Sequence, residues 1–220
     1  MIDPVDRLAA RAGAPRAPGT RALRTRARLL ECVSDLIDEV PYRDVTSALV
    51  TQRLGLSAGA FYRYFGDIND AILELTAEMR ETANGIAEVV RTGSWDDDSA
   101  ERTALAVIDA MARFWGAHRS LYRVTDLCAG EGDDRFKGVK AATFAAVTEA
   151  VEAVIADRRR AGDHPATLDP FAAACVVVAM LIHTMAREEA FGLAGVGRAP
   201  LRHHLARVIV TTVTGTAPDR

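Results

Sequence analysis

Residues 45–65, VTSALVTQRLGLSAGAFYRYF, can be folded in few ways. Leu49, Val50 and Leu54 fall on one face of a helix. Thr46 or Ser47 suits its N-cap, because a hydroxyl there accepts from an orphan backbone N–H. Gly55 supplies the left-handed residue that ends the helix, and Leu56 turns into the core. Ser57 then caps a second helix over 58–65, about two turns long. Its entry is small, Ala58-Gly59-Ala60, and its body is Phe61-Tyr62-Arg63-Tyr64-Phe65. Phe61 and Phe65, four apart, share the core face. Tyr62, Arg63 and Tyr64 carry hydroxyls and a guanidinium outward.

A plain helical hairpin satisfies the same pattern. The small entry adds something: it lets the second helix approach the floor of a DNA major groove. The tyrosines and the arginine then reach flanking phosphates. Residues 26–75, RARLLECVSDLIDEVPYRDVTSALVTQRLGLSAGAFYRYFGDINDAILEL, resemble the DNA-binding domain of the TetR family of transcriptional regulators. An opening helix, a Thr-Ser pair, LGLS-x-G-x-FY-x-YF and the start of a long helix carry the likeness. There are two departures. Ala60 stands where the family usually has Thr or Ser, and 66–70 lack the usual Lys. The resemblance implies that Arg28, Thr46, Ser47, Ser57, Ala58, Gly59, Tyr62, Arg63 and Tyr64 face DNA.

The chain has 220 residues and a net charge of −3, so it is no polycation. Its positive charge is local: Arg7, Arg11, Arg16, Arg21, Arg24, Arg26 and Arg28 meet only Asp3 and Asp6. Residues 1–20, rich in Arg, Pro and Ala, read as a flexible arm. Residues 21–66 read as the helix-turn-helix domain and 67–217 as a larger helical domain. Abundant Ala and the lack of alternating β-branched runs make the chain all-α, with about nine helices. Cys32, Cys128 and Cys175 are odd in number and far apart, and read as reduced core thiols. The first 20 residues hold no apolar signal segment, and the apolar run 171–182 is too short for a membrane. A cytoplasmic protein with no membrane contact is expected.

Leu23, Ala27, Leu30, Val33 (or Ser34) and Ile37 give the first helix, 20–40, an apolar stripe, and Pro41 stops it. Asp67 and Asp70 make a capping-box-like start to a long helix reaching 91. Helices are expected over 101–117, 121–129 and 133–160. Asp169-Pro170 opens another over 170–191, apolar all round from 171 to 182. A last helix spans 200–214. In a TetR-like architecture, the helices 170–191 and 200–214 of two subunits pack as a four-helix dimer interface. Two reading helices then reach successive major grooves, ~34–36 Å apart.

Met111, Phe114, Trp115, Tyr122, Thr125, Phe144, Thr148, Met180, His183 and Thr184 are the candidates for a ligand cavity. Met, aromatic and Thr side chains together suit a flexible apolar pocket with few polar handles. Trp115, Phe144 and the His183-Thr184 pair resemble the tunnel-like pocket of the ethionamide-resistance regulator group. That resemblance implies elongated apolar ligands. No catalytic constellation, metal-ligand spacing or cofactor fingerprint occurs, so no enzyme, metal or cofactor is expected. The expected function is a homodimeric repressor released from a palindromic DNA operator by a small apolar effector. A helical small-molecule binder without specific DNA binding is the alternative, suggested by Ala60 and the missing Lys.

Overall fold

In the computed structural model, which describes residues 20–215, all regular structure is helical: nine α-helices and two short 3-10 helices among the described residues. The expected arm, 1–20, lies almost wholly outside the described residues. The chain divides into two compact units, with the boundary between Ala71 and Ile72.

The first unit begins with α1 (Thr20–Glu39). Leu29, Cys32, Val33, Leu36 and Ile37 are its buried stripe. Of the expected stripe, Val33 and Ile37 are buried and Leu30 is half-buried, whereas Leu23, 52% exposed, and Ala27 are exposed. Pro41 stops α1 and caps a 3-10 turn, Tyr42–Asp44. The Tyr42 hydroxyl donates to Asn69 Oδ1 at 2.7 Å. Next come α2 (Ser47–Arg53) and a 3-10 helix, Ala58–Arg63. A bidentate pair at 2.6 and 2.8 Å ties Arg53 to Glu39 of α1.

Helix α3 (Ile68–Thr92) starts at a reciprocal cap. Asp67 Oδ1 accepts from Asp70 N at 2.8 Å, and Asp70 Oδ2 accepts from Gly66 N at 3.0 Å. After a tight junction follows α4 (Ala100–Gly130), unbroken over 31 residues. This corrects the expected pair of helices 101–117 and 121–129. Nothing in His118-Arg119-Ser120 opposes helix, and a lone Gly116 costs only about 1 kcal/mol. The expected single helix 133–160 is two, α5 (Asp134–Thr143) and α6 (Ala145–Ala161). Phe144 leaves the helical region (φ −109, ψ 12). Its ring packs on Phe114, with centroids 4.9 Å apart, and on Tyr122 at 6.0 Å. Burying that ring is worth about 1.5–3 kcal/mol, enough to offset a broken helix.

Asp169 caps α7 (Pro170–Ala186), accepting from Phe171 N and Ala172 N at 3.0 and 3.2 Å. The helix expected over 170–191 breaks at Arg187 into α7 and α8 (Glu188–Leu193), and α9 (Arg198–Thr214) follows. The core of this second unit draws on five helices: Ile86 of α3, Phe114 of α4, Ile155 of α6, Leu181 of α7 and Ile209 of α9. Helix α7 is not covered all round. Phe171, Cys175 and Val176 lie exposed on one side, Val176 to 66%. The reading of Cys175 as a core thiol is thereby corrected, while Cys32 and Cys128 are buried.

Candidate functional site

The Thr46 hydroxyl accepts from Leu49 N at 3.1 Å, so Thr46, not Ser47, is the N-cap of α2. Helix α2 ends in a tight turn around Gly55 (φ +65), where Leu56 N donates back to Thr51 O at 2.9 Å. A side chain other than glycine would strain that backbone. The turn delivers Ser57 in extended conformation, and Ala60 N donates to Ser57 O at 2.8 Å. The Ser57 side chain itself makes no cap bond. The second helix is 3-10 and ends at Arg63 rather than 65, which tightens it to three residues per turn.

Phe61 and Phe65 are both buried, their ring centroids 5.3 Å apart, and Arg26 lies 4.9 Å over the Phe65 ring. With the aromatics anchored inward, the other side of the helix is left open. Ser57, Ala58, Gly59, Tyr62 and Arg63 are exposed there, and Tyr64 is half-buried. A Cβ placed on Gly59 would meet nothing within 4 Å. Ser47 Oγ and the Tyr62 hydroxyl lie 2.8 Å apart in a hydrogen bond, linking the start of α2 to this surface. Thr46 and Arg28 are exposed as well. Ala60, by contrast, is 1% exposed. The departure from the family pattern at that position therefore faces the unit's interior. Small groups at the entry, flanked by a phenol and a guanidinium, are what a groove-docking helix requires.

In the second unit, Met111, Phe114, Tyr122, Thr125, Phe144 and Thr184 are buried. Phe114, Tyr122 and Phe144 fill the space between α4 and the α5–α6 break with their own rings. The Thr125 and Thr148 hydroxyls donate to carbonyls one turn back, Leu121 O and Phe144 O. Met180 is half-buried and His183 exposed, so His183 is not the buried polar group its place after the apolar run implies. Burial pushes the Tyr122 phenol above its usual range, partly opposed by Lys140 nearby. Burial also holds His118 below the usual imidazole range, with Glu78 opposing. His118 Nε2 is 3.0 Å from Thr82 Oγ1.

Two open spaces lie beside this cluster. A groove of about 580 Å³ is lined by Trp115, Arg119, Arg123, Met185, Arg198 and Leu201, among others. A neighbouring hollow of about 440 Å³ reaches Asp109 and Arg202. Of the expected cavity residues, only Trp115 lines either one. The arginines have a sequence signal that the expected helix break at 117–121 conceals: Trp115, Arg119 and Arg123 recur every fourth residue on α4. Among the described residues, no group of three or more His, Cys, Asp or Glu is placed to hold a metal ion, and no helix is long and apolar enough to cross a membrane.

Residues 86–220, more than half of the chain, match the family described as tetracyclin repressor-like, C-terminal domain. The HTH-type transcriptional regulator BetI of Stenotrophomonas maltophilia (strain R551-3) is 27% identical over 107 residues. Those residues are 42% of this chain and 53% of BetI, so the chain spans about half the length of the curated relative it matches. Solved structures share the fold. The fatty acid degradation regulator FadR from Bacillus halodurans superposes with a TM-score of 0.62 at 13% identity, over 93% of this chain and 100% of its own. The MbdR regulator from Azoarcus sp. CIB gives 0.58 at 22% identity, over 86% and 97%. FadR from Bacillus subtilis, solved with stearoyl-CoA, gives 0.60 at 14% identity, over 86% and 98%. The matched family is one of regulators, which sets an enzyme reading aside. With a helix-turn-helix at its amino end and the matching domain over the remainder, the chain belongs to the TetR family of transcriptional regulators.

Proposed function

We propose that the chain is a cytoplasmic, homodimeric, ligand-responsive repressor that leaves a palindromic DNA operator when a small, largely apolar effector binds. Residues 21–66 would read DNA, and 67–217 would bind effector and dimerise. One observation carries the DNA reading. Ala58 and Gly59 stand open at the entry of the 3-10 helix, with Tyr62 and Arg63 exposed beside them and Phe61 and Phe65 anchored beneath. The hydrogen bond between Ser47 and Tyr62 holds this surface in one shape before DNA arrives. Burial of Ala60 supports the same reading, because it removes one motive for the alternative of a binder without DNA.

The homodimer is supported by the apolar side that α7 and α9 leave open, with Phe171 at 53%, Val176 at 66% and Val208 at 47% exposure. The effector is supported by the open groove at Trp115 and by the stearoyl-CoA bound in the Bacillus subtilis regulator of the same fold. The continuity of the groove with its neighbouring hollow suits an elongated ligand of the kind the ethionamide-resistance regulators bind. An effector that prefers one dimer geometry lowers operator affinity by its differential binding free energy.

The test is fluorescence anisotropy with duplex fragments from upstream of the chain's own coding sequence, over a range of salt. Affinity for a palindromic site should fall steeply as salt rises. Arg63→Ala should weaken binding about tenfold, or ~1.4 kcal/mol, with an unchanged melting temperature. An Arg63→Ala protein with full affinity would remove the 3-10 helix from the interface.

A further inference from the structure

The groove of the second unit runs between α4, the end of α7, α8 and the start of α9. Its two arms, of about 580 and 440 Å³, share Trp115, Arg119, Met185, Glu188, Arg198 and Leu201. Each arm is within the size range of small-molecule sites. Trp115, Met185 and Leu201 give it an apolar wall. Its charges sort into pairs and a remainder. Arg198 pairs with Glu188. Arg202 binds Asp109 through two hydrogen bonds, 2.9 and 2.6 Å long. Arg119, Arg123 and Glu189 are left over, a surplus of one positive charge.

Arg119 and Arg123 have no hydrogen bond or ion pair among the described residues. They sit four residues apart on one face of α4, where like charges disfavour a helix. Trp115 lies one turn earlier on the same face. Solvated arginines on a helix are ordinary. Two unpaired ones beside an indole, at the wall of a cavity whose other arginines are neutralised, are not. An apolar body against Trp115, Met185 and Leu201 would leave one anionic group within reach of two guanidiniums, which suit carboxylate and phosphate oxygens equally.

We infer that this groove takes an amphipathic molecule with a single anionic head group, carboxylate or phosphate, and that Arg119 and Arg123 hold the head while Trp115 and Leu201 line the tail. The inference rests on the reading of the helical unit as the effector-binding part, and it moves the ligand out of the aromatic cluster at Phe114, Tyr122 and Phe144. Those rings pack on one another.

Isothermal titration of the full chain with decanoate, decyl phosphate, decanol and decyltrimethylammonium tests it. One or both anions should bind at least roughly tenfold more tightly than decanol, and the cation should not bind. Whichever anion is tighter names the head group. The Arg119→Gln/Arg123→Gln double variant should lose about tenfold or more for the anion and nothing for decanol. Arg113→Gln, on α4 but outside the groove, should change neither. Equal affinities for anion and alcohol, an undiminished anion affinity in the double variant, or no binding of any probe up to roughly 1 mM would overturn the inference. Operator binding is measured on the same samples. Tight anion binding by a protein that ignores DNA would leave the groove assigned and end the repressor reading. Tight anion binding that leaves operator affinity unchanged would show that the groove does not serve as the effector site.

Discussion

Thr46 holds the entry of α2 through one hydrogen bond, and its loss should be measurable by itself. Thr46→Ala should lower the unfolding free energy by about 1 kcal/mol, read from urea denaturation. Thr46→Ser should restore it. His118 makes a second residue-scale prediction. Burial holds its pKa below the ordinary value of about 6.5, with Glu78 opposing. Its contribution is therefore complete above that value. As pH falls through it, the unfolded chain takes the proton first, and stability declines until the folded pKa is passed. Between pH 7.5 and 5.5, His118→Gln should lose less melting temperature than the wild type. An equal loss would locate the pH dependence elsewhere.

Between elements, the junction of α3 with α4 leaves no room for a side chain at Gly93. A Cβ on Gly93 would run into Thr103 Cγ2 and lie 2.9 Å from Val89 O. Thr103 cannot swing away freely, since its hydroxyl donates to Ser94 O at 2.6 Å. Gly93→Ala should cost about 1–3 kcal/mol, seen as a lower denaturation midpoint. The elements that local chemistry dictates were legible in sequence: Gly55 as the turn, Asp67 and Asp70 as a cap, Asp169-Pro170 as a helix start. The four-residue spacing of Phe61 and Phe65 likewise gave the buried face of the 3-10 helix and so the exposed one. What packing dictates was not legible. The break at Phe144 comes from its ring seating between Phe114 and Tyr122, which no local signal announces. Expecting a break near 117–121 split the stripe of Trp115, Arg119 and Arg123 between two helices. The groove was missed for that reason, and an aromatic cluster that fills its own space stood in its place.

For the whole molecule, the open side of α7 and α9 carries the largest consequence. Val176→Asp puts a carboxylate in place of the most exposed of its apolar side chains. It should give a monomer by analytical ultracentrifugation with its helical content intact. Operator affinity should fall roughly a hundredfold or more, because two linked half-sites become one. A dimer that survives the substitution would place the interface on another surface.

The chain has only two tryptophans, and their surroundings differ. Trp95 is 8% exposed and donates its indole N–H to Val90 O at 3.0 Å. Trp115 stands at the groove wall, its ring 5.4 Å from Tyr122. The molecule thus carries a built-in optical probe. With Trp95 sealed, any colour change in indole emission during a titration comes from the other ring, and the wild-type protein reports occupancy of the groove without a dye.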